Sequence, residues 1–149
     1  MKVEKLIHKY LSQADMMQVA TADSGQPWIC TVYFVADEDA NLYWISTPSR
    51  RHSQEIAKNS KVAAAIPIKY VGHPVVGLQA EGEADLVADQ GQIKKAMRLY
   101  TDKFKIGEDF YNDFLAGKNS HKLYRIKPRV IVLFDEENFA DNSRQEWKP

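Results

Sequence analysis

Arg50, Arg51 and His52 stand in a row after a Thr47-Pro48-Ser49 turn and open a helix-like segment. Cations are misplaced there. A helix N-terminus carries roughly +0.5 of an elementary charge, so each arginine in the first turn costs on the order of 0.3–1 kcal/mol. A bound anion removes the conflict, because the free backbone N–H groups and the dipole already attract one. Phosphate binding at this strand-to-helix turn is the first chemistry expected of the chain, against the blander reading of a solvated basic surface. His52 titrates near neutrality in its reference state, so anion affinity is expected to weaken above neutral pH. The other reactive residue types are scattered. Cys30 lies in an apolar run with no histidine near it in sequence, as suits a small buried hydrophobe rather than a nucleophile. His8, His73 and His121 make no metal-ligand pattern. Glu81, Glu83 and Asp85 alternate on one strand face and read as solvated. With no acid–base pair or nucleophile in view, the chain suits either cofactor chemistry, in which protein supplies position and electrostatics, or no catalysis at all.

The elements that must position this turn can be taken in order. Val3–Ser12 is an amphipathic helix with Val3, Leu6, Ile7, Tyr10 and Leu11 on one face. Met16–Thr21 is a strand closed by Asp23-Ser24-Gly25, and Pro27–Ala36 is a strand apolar on both faces, expected between two layers. Asp37–Asn41 turns into Leu42–Ser46, and the three strands are expected to form an antiparallel meander. The helix from about Arg50 has Ile56 and Ala57 as anchors and closes at Asn59-Ser60. Val62–Ile68 is a strand of small residues that Pro67 ends or bends. In Val75–Val87 a period of two holds from Leu78 to Leu86. Straight, that strand would run roughly 40 Å, so a kink is expected at Gly82 and the whole reads as part of a barrel. Asp89 begins a helix to about Phe104 with Ile93, Met97, Tyr100 and Phe104 in one stripe, and Phe110–Leu115 is a further short helix. Lys122–Lys127 and Arg129–Asp135 are two strands parted by Pro128. The tail, 136–149, carries Phe139 and Trp147 and is expected to pack on the domain or a partner, or to close Trp147 over a ligand.

Composition bounds the class. The 149 residues suffice for one domain, and 44% hydrophobic with 27% charged residues is ordinary for a globular protein. Twenty basic and twenty acidic residues cancel, so no overall field recruits nucleic acid or an anionic membrane. The acidic long strand also disfavours a single-stranded nucleic-acid barrel. One cysteine, an N-terminus without a leader pattern and no long apolar run give a cytoplasmic expectation. The expected fold is mainly β with flanking helices, a six- to seven-stranded antiparallel barrel in a single domain.

Four pieces in this order, Leu42–Ser46, Ser49-Arg50-Arg51-His52, QEIAKNSKVAAAI (Gln54–Ile66) and GLQAEGEADLV (Gly77–Val87), resemble the pyridoxamine 5′-phosphate oxidase-like family. The resemblance runs from about Met16 to Asp135 and implies an FMN-binding split β-barrel, a homodimer with FMN at the subunit interface, and redox chemistry. Carried over by residue, the strand-end pair that contacts FMN falls on Ile45 and Ser46, and the pair that grips its phosphate on Arg51 and His52. His52 stands where a lysine is usual. Cys30 and Val35 occupy positions that are Arg and Lys in the authentic oxidases. The flavin-contacting glutamine falls on Gly77, with Gln79 two residues on along the same face and taken as its replacement. The C-terminal Arg/His substrate motif is missing. The resemblance therefore points to the small uncharacterised branch of general-stress and unknown-function members, not to vitamin B6 oxidation. Trp28, Tyr33, Tyr43 and Trp44 are expected in the core or at the dimer interface. The rival expectation is a non-catalytic dimeric module on the same barrel, holding haem, a deazaflavin or another anion.

Overall fold

The computed structural model describes residues 2–69 and 71–149. Helix α1 (Lys2–Gln13) buries Ile7, Tyr10 and Leu11, the one-turn spacing read from its sequence. Strand β1 (Met16–Asp23) passes into β2 (Gln26–Tyr33) through Ser24 and Gly25, whose φ values of 51° and 81° give the two-residue turn that matches strand twist. Next come β3 (Val35–Ala36), β4 (Leu42–Ser46), α2 (Arg51–Lys58), β5 (Lys61–Lys69) and β6 (Val76–Leu86). Helices α3 (Gln90–Phe104) and α4 (Glu108–Leu115) precede β7 (Lys122–Asp135) and β8 (Arg144–Trp147). Asp89 caps α3 by accepting the Gln92 N–H at 2.9 Å.

One antiparallel sheet runs β2-β1-β5-β6-β7-β4-β3, with β8 added to β7. Strands β2 and β3 lie at opposite ends of that order yet are parted in the chain only by Phe34. The sheet must therefore curl on itself, leaving a seam where β2 meets β3 and β4. This is the split antiparallel barrel expected, with four helices around it. The expected meander holds only in part: β1 pairs with β2, and the end of the expected second strand, Val35–Ala36, pairs with β4, but it is a separate strand, β3, and the other neighbour of β4 is β7. Phe34 causes the change, turning fully inward and donating its N–H to Asp15 O at 3.1 Å, so the chain leaves the hairpin there. Pro128 does not divide β7. It faces Gly82 beside a register shift between Glu81 and Gly82, the kind of irregularity at which a strand accommodates proline. Gly82 marks the bend in β6 because a Cβ there would lie 2.1 Å from Lys127 O.

The barrel core gathers Trp44, Phe34, Met17, Leu42, Leu78, Ile126, Ile131 and Leu133 under Ile7 and Leu11 of α1. A second cluster, Val35, Tyr43, Met97, Tyr100, Phe114 and Leu123, fixes α3 and α4 on the outside of β3 and β4. Arg125, 8% exposed, clamps Asp85 through two bonds of 3.1 and 2.7 Å and reaches Gln92 at 2.9 Å, tying β6, β7 and α3. The tail forms β8 on β7, with Phe139 and Trp147 against the main core. Trp147 meets His8 of α1 edge-on at 5.5 Å, which places it in the fold and not over the Arg50–His52 turn.

Strand β2 departs furthest from expectation. It is an edge strand with Trp28 42%, Ile29 59% and Tyr33 56% exposed, while Cys30 and Val32 alone lean on the core. Its second apolar face, with Ile29 and Tyr33, is open. That face continues across β1, β5 and β7 as Met16, Ala20, Ala63, Ala65, Val132 and Phe134, with Gln79 and Glu81 of β6 between them. No described helix is long and apolar enough to cross a membrane.

Candidate anion site at the start of α2

Strand β4 delivers Ser46 to the end of the barrel, and the Thr47–Arg50 turn, closed by Arg50 N–H to Thr47 O at 3.2 Å, launches α2. Arg50 is the N-cap residue, in extended geometry (φ −67°, ψ 148°), and its side chain caps nothing. The first helical bond runs from Gln54 N–H to Arg50 O at 3.0 Å. The N–H groups of Arg51, His52 and Ser53 come before it, so helix geometry leaves them without an internal acceptor. An anion acceptor is what such a start lacks.

The side chains around it form two linked sets. Ser46 Oγ and His52 Nε2 lie 2.8 Å apart, with Ser46 7% and His52 8% exposed. Burial and the neighbouring Arg50 charge push the His52 pKa below 6.5, against an opposing pull from Glu55. His52 is thus neutral at neutral pH and serves as a hydrogen-bonding wedge, where a lysine would supply charge. In the second set, Glu55 accepts Thr21 Oγ1 at 2.7 Å and Arg51 Nε at 2.8 Å. Those bonds hold its carboxyl below the usual range. The Arg51 guanidinium lies 4.0 Å from the centroid of the Trp28 ring. Its Nη groups make no hydrogen bond among the described residues and remain available to a ligand. Ser53 Oγ is fully buried and has no hydrogen-bond partner among the described residues, beside a cavity of about 410 Å³ lined by Pro48, Ile56, Ala84 and Tyr124.

Of the expected site residues, Ser46, Arg51 and His52 converge here. Ile45 points to the other side of β4, against the α3–α4 cluster. Gln79 is elsewhere in the same chain: it lines an open cleft of about 440 Å³ on the outer sheet face with Gln18, Ala20, Ile29 and Ala65. Cys30 leans on the core, and burial raises its pKa, so it stays a thiol. Ala57, expected as an anchor, is exposed, and α2 is held by Ile56 together with His52, Ser53 and Glu55. Three contributors were not read from sequence. The Arg51–Glu55 pair has helical i,i+4 spacing and could have been. Trp28 opposite Thr21 follows from the hairpin register once Ser24-Gly25 is fixed as the turn. The Thr21–Glu55 bond spans 34 residues and had no local signal.

Residues 3–136 match the family model described as pyridoxamine 5′-phosphate oxidase. No curated protein matches. General Stress Protein 26 of Bacillus anthracis superposes with a TM-score of 0.72 at 15% identity over 100% of both chains. A haem-binding protein of Mycobacterium smegmatis gives a TM-score of 0.73 at 11% identity, covering 95% of this chain and 56% of that one. A FAD-binding protein of Mesorhizobium loti gives 0.63 at 21% identity, covering 83% and 87%. At these identities the solved structures speak for the fold alone.

Proposed function

We propose, from the premise that this chain belongs to the pyridoxamine 5′-phosphate oxidase family, that it is an FMN-binding flavoprotein acting as a homodimer in redox chemistry. The observation that carries the reading is the uncapped start of α2 with Arg51 laid on Trp28 and its Nη groups free. The residues fit the phosphate end of a flavin. The Arg51–Ser53 amides and Arg51 would bind it, Ser46 and His52 would fix the turn, and Trp28 would give an apolar wall. FMN would supply the electron transfer, and the chain supplies binding, orientation and exclusion of water. The FAD-binding protein of the same fold supports a flavin as ligand.

The homodimer completes the site. Gln79 and the α2 start are on different surfaces of one chain, so Gln79 meets a ligand at Arg51 only from a second copy. The open apolar face through Ile29, Tyr33, Ala63 and Phe134 is the surface a second copy would cover. A single cysteine, with no second to form an intramolecular disulfide, is compatible with a cytoplasmic setting.

The test is a spectrum. Purified or FMN-reconstituted protein is expected to be yellow, and Arg51→Ala to lose the colour with its circular dichroism unchanged. A protein that gains neither absorbance nor thermal stability with FMN would sink the flavin reading. One observation favours a second reading, a non-catalytic module for haem or a deazaflavin: β2 and β3 offer no charged group, Cys30 of β2 and Val35 of β3 being apolar. The haem-binding protein of this fold supports it. Steady turnover of reconstituted protein with NAD(P)H supports the enzyme, and a bound but inert cofactor supports the module.

A further inference from the structure

Helix α2 has a rear face that the anion site does not use. Ser53 stands two positions after Arg51, roughly 200° round the helix, and so lies away from the side that carries Arg51 and Glu55. Its side chain is 3% exposed, and its Oγ has no hydrogen-bond partner among the described residues. A hydroxyl buried in that state has lost its water and gained nothing in exchange. Ser53 lines the cavity of about 410 Å³ between α2, β6 and β7. One wall is the Tyr124 ring, held in place by stacking on Trp44 with centroids 5.6 Å apart and planes 20° from parallel. Ile56 and Ala84 extend the apolar surface, and the small Ala57 leaves the space open from the helix side. Leu86, opposite Tyr124 in the β6–β7 ladder and 51% exposed, forms an apolar rim. The one charged side chain of the lining is Asp85, whose carboxylate is occupied by Arg125 through bonds of 3.1 and 2.7 Å.

We infer that this cavity is a binding site for a small neutral aromatic molecule whose hydroxyl or amide group bonds to Ser53 Oγ. An apolar cavity of about 150 Å³ suffices for benzene, so the space behind α2 takes a substituted ring. The Tyr124 face and the Leu86 rim supply the apolar contact, and burial of Leu86 under the ligand accounts for its exposure in the free chain. The Ser53 hydroxyl can donate or accept, and it selects a ligand that brings a polar group to that point. A carboxylate is disfavoured, because no lining cation meets it and Asp85 lies beside it. The site is separated from Arg51 by the helix itself and does not depend on the flavin reading.

The experiment uses three probes that share a methylated ring and differ in one group: p-cresol, toluene and p-toluate. At pH 7 the phenol is neutral and the toluate is an anion. Each is titrated into 15N-labelled native protein, and the backbone amide shifts are followed. p-Cresol is expected to move the amides of Ser53, Ala57, Ala84 and Leu86 and to bind about fivefold more tightly than toluene, the net worth of one hydrogen bond. p-Toluate is expected to leave those amides in place. Ser53→Ala should bring p-cresol down to the affinity of toluene, with toluene itself nearly unchanged. Ala57→Phe, at an exposed position of the lining, should fill the cavity and abolish binding of both. No shift at millimolar p-cresol overturns the inference, as do shifts confined to other amides. So does p-cresol that binds no better than toluene, keeps its advantage in Ser53→Ala or binds Ala57→Phe undiminished. p-Toluate that binds as tightly as p-cresol overturns the neutral class of the ligand. If either variant fails to fold, the three native titrations decide the matter.

Discussion

His52 shows how burial changes what a residue type can do. In water it would share a proton with solvent at about pH 6.5. Packed against Ser46 it is desolvated and lies near Arg50, both of which favour the neutral ring. The expectation that anion affinity weakens above neutral pH is replaced by affinity with no His52-dependent step between pH 7 and 8, checked by FMN titration at both. The stability consequence has a definite sign. Between the lowered folded pKa and 6.5 the unfolded chain binds more protons, so stability rises with pH through that window. It is lost as pH falls below about 6.5. The thermal midpoint of native protein is expected to drop from pH 7 to 5.5 more steeply than that of His52→Gln. Equal slopes would mean that His52 keeps its ordinary pKa.

Among the elements, β6 is the one whose shape the sequence dictates most tightly. Leu78, Ala80 and Ala84 face the core while Gln79, Glu81 and Glu83 face out, a period of two that reads through the register shift at Gly82. The bend lets one strand pair with both β5 and β7 around the barrel wall. Gly82→Ala places a methyl 2.1 Å from Lys127 O, a backbone atom that cannot rotate away. The cost is expected to be at least about 1–3 kcal/mol, the range for overpacked sites, read as a lower urea midpoint. Gly77→Ala meets only Ile66 O at 3.5 Å and is the control expected to leave the midpoint nearly unchanged. Helix α2 is the opposite case. It buries Ile56 but also three polar side chains, so its place is set by the Ser46–His52 and Thr21–Glu55 bonds.

At the scale of the molecule, the unsatisfied feature is the outer sheet face. Ile29 and Tyr33 of β2 and Phe134 of β7 are more than a third exposed, on a surface where alanines and valines are interspersed with Gln18, Gln79 and Glu81. Such a face is expected to be covered by a second copy. Sedimentation of the native protein should give a dimer, and Ile29→Lys should give a folded monomer with weaker FMN binding, because Gln79 of the second copy is lost with it. A native monomer at tens of micromolar would remove the dimer from the proposal. The tail acts within the chain instead, since Trp147 and Phe139 are already packed by β8.

Sequence by itself determined the elements and their faces. The Ser24-Gly25 turn, the Asp89 cap, the Gly82 bend and the β6 alternation from Leu78 to Ala84, which ends before the exposed Leu86, are local consequences of backbone geometry and hydrophobic period, and each reads within a dozen residues. It also singled out the α2 start as the candidate anion site, because misplaced charge at a helix N-terminus is a local fact. Tertiary structure decided which strands meet. Whether β4 folds back on β2 or crosses to β7 depends on Phe34 turning inward, which short apolar runs do not reveal. It decided the charge of the site as well. Glu55 reaches Thr21 on β1 and Arg51 one turn away, and burial lowers the His52 pKa in favour of the neutral ring. Both effects depend on distances and dielectric that exist only once the barrel has closed.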